Sequence, residues 1–353
     1  MTATHIDQGK LDAFMGKALT DLSGTTATVL AFLGDRLGLF RALSGSPATS
    51  EELAARAGVH ERYAREWLRG MTAAGYLEAD DDRFFLPAEQ AQALASEGGP
   101  FFLGGVQQEL IGMLRPLDAL TEAFRSGGGV PQSAYPADAW DGMRRFTQAW
   151  FENLLLQQWI PAAAETRDKL EAGARYADVG CGSGLAVIKL AQAFPRSTFV
   201  GYDAFAGQVQ RAQAAAEAAG VGQRVRFEVR DVADGIDETF DVISTFDVVH
   251  DADDPGGLLR AIRGALPPDG IYLMLEMNSA DDPADNVGPL ATLFYGFSVI
   301  YCMTTSLAHG GAGLGTCGCP PAKVRELSAA AGFSRVERLP LENPFNILYA
   351  IRP

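Results

Sequence analysis

Seven consecutive residues, Asp178-Val-Gly-Cys-Gly-Ser-Gly184, set three glycines at alternate positions between an apolar stretch and a helical one. Glycines so spaced let the backbone bend sharply and approach a bound group, and the following helix offers it free N–H donors. Two acids lie downstream at the ends of predicted strands: Asp203, 19 residues after Gly184, and Asp231 in Phe227-Glu-Val-Arg-Asp231-Val232. A carboxylate at Asp203 can accept both hydroxyls of a ribose. Asp231 is placed to receive an adenine amino group while Val232 packs on the ring. A dinucleotide reading fails on spacing. In G-x-G-x-x-G the third glycine allows close helix packing, and counting from Gly180 and Gly182 that place holds Leu185.

The elements that must position these residues follow from periodicity. From Arg175 onward short apolar strands alternate with helices: 176–179, 198–202, 225–229, 240–246, 271–276, 336–339 and 345–351. Such alternation predicts an α/β domain with a mostly parallel sheet and helices on both faces. The last two strands lie too close together for a parallel crossover, so they are expected to pair antiparallel.

The N-terminal third reads differently. Leu30, Leu33, Leu37 and Phe40 recur at helical spacing within a predicted helix 27–43, and a second helix starts near Thr49-Ser50-Glu51-Glu52 and stops at Gly58. A third, 61–74, is expected to bury Tyr63, Trp67, Leu68 and Met71, and a hairpin turns at Asp80-Asp81-Asp82. Three helices and a hairpin make a winged-helix-like module. Between Thr25 and Gln90, seven basic residues stand against ten acids, and the wing tip carries three aspartates. That charge argues against a phosphate backbone as partner. Dimerisation or the covering of a pocket suits residues 1–95 better, dimerisation being the reading taken, with 96–170 a helical linker contributing to a substrate pocket and 171–353 the catalytic domain.

The bulk properties agree. The chain of 353 residues carries a net charge of −15, with 29 basic and 44 acidic residues, which disfavours nucleic acid and anionic membranes. No apolar run approaches the roughly 20 residues that span a bilayer, and the first ten residues lack the order of a signal peptide. Four cysteines, Cys181, Cys302, Cys317 and Cys319, form no disulfide framework, so a cytoplasmic protein is expected.

With these motifs in hand, residues 175–353 resemble a class I S-adenosylmethionine (SAM)-dependent methyltransferase with its seven-stranded Rossmann-like sheet. The whole chain beyond about the first 20 residues resembles the bacterial two-domain group with an N-terminal winged helix, related to plant-type small-molecule O-methyltransferases. The resemblance implies SAM as cofactor, a homodimer, and a small-molecule acceptor of specialised metabolism. It assigns donor binding to Asp178, Gly180, Gly182, Gly184, Asp203, Asp231, Val232 and Phe246. In Phe246-Asp247-Val-Val-His250-Asp251 it makes His250 the general base, and in Leu273-Met-Leu-Glu276 it makes Glu276 its support. Histidine, with a resting pKa near about 6.5, suits removal of a phenol proton. C- or N-methylation on the same scaffold is the alternative, and a cofactor-binding regulator a third.

Trp150, Phe151, Tyr295 and Tyr301 are candidate pocket aromatics. No metal is expected, since Cys317-Gly-Cys319 lacks a second pair. The rival metal reading joins His250 and His309 with Asp251 or Asp253.

Overall fold

The computed structural model describes residues 6–353. Asp7 opens the first helix, its carboxylate accepting the Lys10 N–H, and α1 runs Gln8–Arg36. Gly38 then adopts φ +70 and breaks the helix, so the single helix expected over 27–43 is two, α1 and α2 (Leu39–Leu43). A capping box between Thr49 and Glu52 starts α3 (Ser50–Ala57), and Gly58 ends it in the left-handed region. In α4 (Glu61–Ala73) Ala64, Trp67, Leu68 and Met71 form the buried stripe. Tyr63, expected inside, is 78% exposed because Ala64 takes that side of the turn. Strands β1 (Glu78–Asp80) and β2 (Arg83–Phe85) pair antiparallel around Asp81, whose φ is +51.

Helices α1 and α4 cross closely. A Cβ on Gly34 would meet the Trp67 ring at 2.5 Å, and Trp67 Nε1 donates to the Leu30 carbonyl at 2.8 Å. By its contacts the chain divides into two units. The first holds this module through residue 112, together with 137–149; the second holds 113–136 and 150–353. The segment read as a linker, 96–170, is thus shared between the two.

The second unit contains β3 (Arg175–Val179), β4 (Thr198–Asp203), β5 (Val225–Val229), β6 (Val242–Phe246), β7 (Ile271–Met277), β8 (Arg335–Arg338) and β9 (Asn346–Arg352). Their order is β5-β4-β3-β6-β7-β9-β8; the first five run parallel and β9 is antiparallel to both its neighbours. This is the expected doubly wound α/β sheet. The strand order reverses between β3 and β6, and in such sheets ligands bind beyond the carboxyl ends of the strands at that switch. Pleat alternation feeds two cores. Tyr176, Phe199 and Leu273 pack with Leu155, Trp159 and Leu190 on one face. Ala177, Tyr202 and Met274 pack with Leu259 and Ile262 on the other.

Two helical segments are π-helical, Phe151–Trp159 and Ser298–Cys302. The second lies within a continuous helix, Gly288–Ala308, whose 21 residues are long and apolar enough to cross a membrane. The expectation of no such run is corrected to that extent. Phe294, Tyr301, Cys302 and Thr304–Ser306 of this helix are buried within the fold.

Candidate active site

The loop after β3 is shaped by three left-handed glycines, Gly180 (φ +71), Gly182 (φ +53) and Gly184 (φ +78). Their reasons for being glycine differ. A Cβ on Gly180 would strike Val248 at 2.6 Å, and one on Gly184 would strike Phe227 at 2.6 Å. At Gly182 it would meet open space. Only Gly182 therefore leaves its side of the backbone free for a ligand.

Asp203, at the end of β4, holds the loop: one oxygen accepts Gly182 N–H and the other Phe205 N–H, both at 2.9 Å. Burial raises its pKa, and these two donors pull against that rise. Each oxygen keeps a lone pair for a further donor. Asp231 is exposed, accepts the Ala233 N–H at 3.0 Å, and starts a turn that buries Val232. Asp178 lies beneath the loop rather than in it. Ser244 Oγ donates to it at 2.5 Å, and burial pushes its pKa up to about 7 against that bond.

Gly180, Asp203, Asp231 and Val232 line one cleft, whose void counted out to bulk solvent is about 840 Å³. Val248, Asp251, Thr305, Ser306, His309 and Gln132 also line it, and none of these was read from the sequence as a donor residue. Asp251 carried a signal, its place beside the histidine. Gln132 follows the glycine-rich turn 127–129 and donates to the Tyr301 hydroxyl at 3.2 Å, a pairing no local pattern reveals.

Phe246, expected beside the donor, instead stacks on Trp159 at 5.5 Å and meets Phe151 edge-on at 5.6 Å. Trp150 lies 5.9 Å from Phe345, and Tyr301 packs edge-on against Tyr135 at 5.3 Å. Tyr295 is 41% exposed. The four pocket candidates thus fall into three places: Phe151 with Phe246, Trp150 with Phe345, and the tyrosines on the helix Gly288–Ala308.

Beyond β6 the chain turns at Asp247, a non-glycine residue at φ +55. Both its oxygens receive Asn346 Nδ2, at 2.9 and 3.1 Å. Burial and the nearby Glu276 carboxylate push Asp247 up to about 8. His250 follows in the short turn Val249–Asp251. Its Nδ1 meets Glu276 Oε2 at 2.6 Å, while Glu276 Oε1 accepts the Val249 N–H at 2.8 Å. The sheet therefore fixes both the carboxylate and the turn it holds.

The other nitrogen, Nε2, faces Asp251 Oδ1 at 3.4 Å, and Cys302 Sγ lies within 4.8 Å of both residues' nearest polar atoms. Burial works against the imidazolium, yet Asp251 and then Glu276 outweigh it and raise the His250 pKa well above its ordinary value. The two histidines of the metal reading have separate partners: His309 Nδ1 pairs with Asp253 at 3.2 Å, and His250 with Glu276 and Asp251. The glycine-rich loop after His309 docks on the same turn, Ala312 N–H donating to Asp253 O and Gly315 N–H to His250 O.

Residues 170–293 match the family described as a methyltransferase domain, and residues 25–96 match the Rv2258c-like winged HTH domain. In chain order, then, a region similar to a winged-helix module precedes one similar to a methyltransferase domain. It is 32% identical over 154 residues to a ubiquinone biosynthesis O-methyltransferase of Dinoroseobacter shibae, covering 41% of this chain and 60% of that protein. To the N,N-dimethyltransferase OxyT of Streptomyces rimosus it is 28% identical, over 70% of this chain and 73% of OxyT. The chain spans less than two thirds of the length of the first curated relatives it matches. The mitomycin 7-O-methyltransferase MmcR shares its fold, with a TM-score of 0.74 and 21% identity over 98% of this chain and 100% of that one.

Proposed function

We propose that the protein is a SAM-dependent methyltransferase that methylates a small molecule of specialised metabolism, on oxygen, with His250 as general base. One observation carries this reading. A cleft edged by Asp203 and Asp231 adjoins a buried histidine–carboxylate pair, and Asp251 belongs to both. A nucleoside donor fits the residues present. Gly182 leaves open space, Asp203 retains a lone pair on each oxygen for a ribose, and Asp231 is exposed for an adenine amine.

When bound, SAM supplies a methyl group on a cationic sulfur, and in-line transfer from it depends mainly on positioning the two reactants. Gly180, Gly182 and Gly184 would shape the loop around the donor's amino-acid part and Val232 would pack on its ring, with Asp178 held beneath the loop by Ser244. Glu276 holds His250 Nδ1, leaving Nε2 as the nitrogen that takes the acceptor's proton. Acceptor contacts are assigned to Trp150, Phe151, Tyr295 and Tyr301, which offer aromatic surface from three separate places, with Phe246 edge-on against Phe151. The O-methyltransferase names of two of the three relatives above support oxygen as the target.

N-methylation is the second reading. It is favoured by the N,N-dimethyltransferase that matches 70% of this chain, and by Asp247, Asp251 and Glu276 around His250, which suit an amine.

Calorimetry with SAM and its demethylated product SAH tests the donor assignment; no affinity for either, with clear affinity for a nicotinamide dinucleotide, defeats it. His250→Ala tests the base. Turnover should fall by about 10²–10⁴-fold with donor affinity kept, and survival within a few-fold removes His250 from that role.

The N-terminal module serves dimerisation, not DNA contact. Phe14, Met15, Leu19 and Leu22 stand 58–69% exposed along α1, an apolar surface suited to a second copy, and the wing tip is acidic. A monomer by light scattering at micromolar concentration would refute the homodimer. Four free thiols and the acidic surface support a cytoplasmic protein without membrane attachment.

A further inference from the structure

His250 stands between two carboxylates. Glu276 occupies Nδ1, and the ring is only 2% exposed, so Nε2 is the nitrogen left for an acceptor. That nitrogen faces Asp251 Oδ1 at 3.4 Å, longer than a full N–H···O hydrogen bond. Oδ1 is itself buried and, among the described residues, has no N–H or O–H donor, only the weakly donating Cys302 thiol beside it, while the side chain as a whole is 34% exposed and lines the donor cleft. The other acids of the cleft are engaged. Asp203 and Asp231 accept backbone N–H groups, Asp254 accepts the Gly257 N–H, and Asp253 pairs with His309. Arg230, the one arginine in the lining, is held by Asp237 at 3.0 Å. Asp251 is therefore the lining carboxylate most easily redirected.

An imidazolium cannot accept a proton, so a base held between two carboxylates is blocked until one of them lets go. Glu276 cannot, because its second oxygen is fixed by the Val249 N–H inside the sheet. Asp251 can, because it borders an open cleft.

We propose that Asp251 is a positioning residue that keeps His250 a blocked imidazolium in the free enzyme and releases it when a cationic donor enters the cleft. This rests on the reading of the cleft as the SAM site. The donor's positive charge draws the Asp251 carboxylate toward the cleft. His250 then loses its Nε2 proton to water through the opening Asp251 leaves, and the lone pair remaining on Nε2 accepts the acceptor's proton. SAH carries a neutral sulfur and lacks the pull. The base is thus ready only when a methyl group is present to be transferred.

The groups facing His250 besides Asp251 are Glu276 of β7, Asp247 at the end of β6, Cys302 of the helix Gly288–Ala308, and Cys317 and Cys319 of the following loop. The pH response of the site belongs to this set. Only Asp251 and Asp247 are carboxylates outside the Glu276 clamp, and Asp247 is tied by Asn346, which is 1% exposed.

The test is a histidine NMR titration of the full chain, whose four histidines make assignment by single substitution practical, with calorimetry alongside. In the wild type, SAM should lower the His250 pKa by about one unit, tenfold in the proton equilibrium, and SAH should shift it much less. In Asp251→Asn, His250 should titrate lower without ligand, and the shift with SAM should shrink to the smaller part that direct charge repulsion supplies. The preference for SAM over SAH should fall by about tenfold, and Asp251→Glu should restore part of it. Direct repulsion between sulfonium and imidazolium acts in both proteins, so an undiminished SAM shift in Asp251→Asn overturns the proposal. So does an equal loss of affinity for SAM and SAH. Asp251→Ser replaces the asparagine variant if that one does not fold. Failure of either ligand to bind the wild type defeats the donor reading instead.

Discussion

Among the described residues, each of the two units buries a cluster of charge. In the first unit Arg145 donates from Nη1 to Asp35 Oδ2 and to Gln108 Oε1, both at 2.7 Å, from Nη2 to Asp35 Oδ1 at 3.2 Å, and from Nε to Glu97 at 2.8 Å. Its plane also lies over the Phe102 ring at 5.2 Å. Burial opposes this charge, but Asp35 and Glu97 hold the guanidinium's pKa above its ordinary value. Both Asp35 oxygens are met. In the second unit Glu276 is equally well met, yet Asp251 leaves a buried oxygen with only the weak Cys302 thiol as a donor, and His250 has a nitrogen facing it at 3.4 Å. A buried polar group left wanting costs stability, and a cluster that only held the fold together would be expected to close, as the first does. The open one has room for a reactant.

Arg145→Ala takes both hydrogen bonds from Asp35, which is 5% exposed and then keeps only Arg41 at 3.8 Å, and should cost about 3–5 kcal/mol in urea unfolding. Donor affinity should not change. Replacing both partners, Arg145→Met with Asp35→Asn, should recover most of that loss, because desolvation then no longer opposes the fold. If the single variant loses less than about 1 kcal/mol, well under the range for a broken buried pair, the first cluster is not structural in the sense argued.

Glu276→Gln is the matching change in the second unit. It keeps the shape at Nδ1 but removes the charge that orients and stabilises the imidazolium. Turnover should drop by about 10²-fold, close to 2.7 kcal/mol of barrier. The sign of the pH effect follows from the same contact. With one carboxylate gone, the His250 pKa falls from its raised value, so the acid limb of kcat/KM should move to lower pH. A drop in rate with an unmoved limb would mean that His250 is not the group titrating.

How much of this was legible beforehand depends on the range of the contact. The seven strands, the antiparallel pairing at the end and the glycine loop follow from local periodicity and spacing, and the strands begin and end within about two residues of their expected bounds. His250 and Glu276 came from a resemblance, and their 2.6 Å contact joins residues 26 apart through the register of β6 with β7. What stayed hidden depends on three-dimensional packing. Phe246 alternates onto the sheet face that carries Trp159, away from the cleft. Tyr63 loses its inside place to Ala64 by a single helical position. Gly38 breaks a run that reads as continuous, because helical spacing is blind to a backbone that turns left-handed for one residue. Gln132 reaches the cleft through a loop that a Cβ on Gly129 would drive into the Thr304 carbonyl, a closeness no composition records.

The contrast between closed and open places recurs within the glycine loop, and there it predicts the smallest effect. Gly180→Ala and Gly184→Ala each force a methyl into a side chain 2.6 Å away, at positive φ, so they should lower thermal stability through crowding as well as backbone strain. Gly182→Ala meets no protein atom within 4 Å and should cost only the left-handed backbone term, about 1–2 kcal/mol. Its methyl projects into the space assigned to the donor, so SAM and SAH should both bind about tenfold more weakly, a loss of about 1.4 kcal/mol. Both ligands should suffer alike, because the obstruction is steric and does not distinguish the charge on sulfur. Calorimetry beside a melting curve separates the two costs. Unchanged affinity in a folded Gly182→Ala would mean that the open side of this glycine faces solvent, not the donor, and that the ligand approaches the loop from elsewhere.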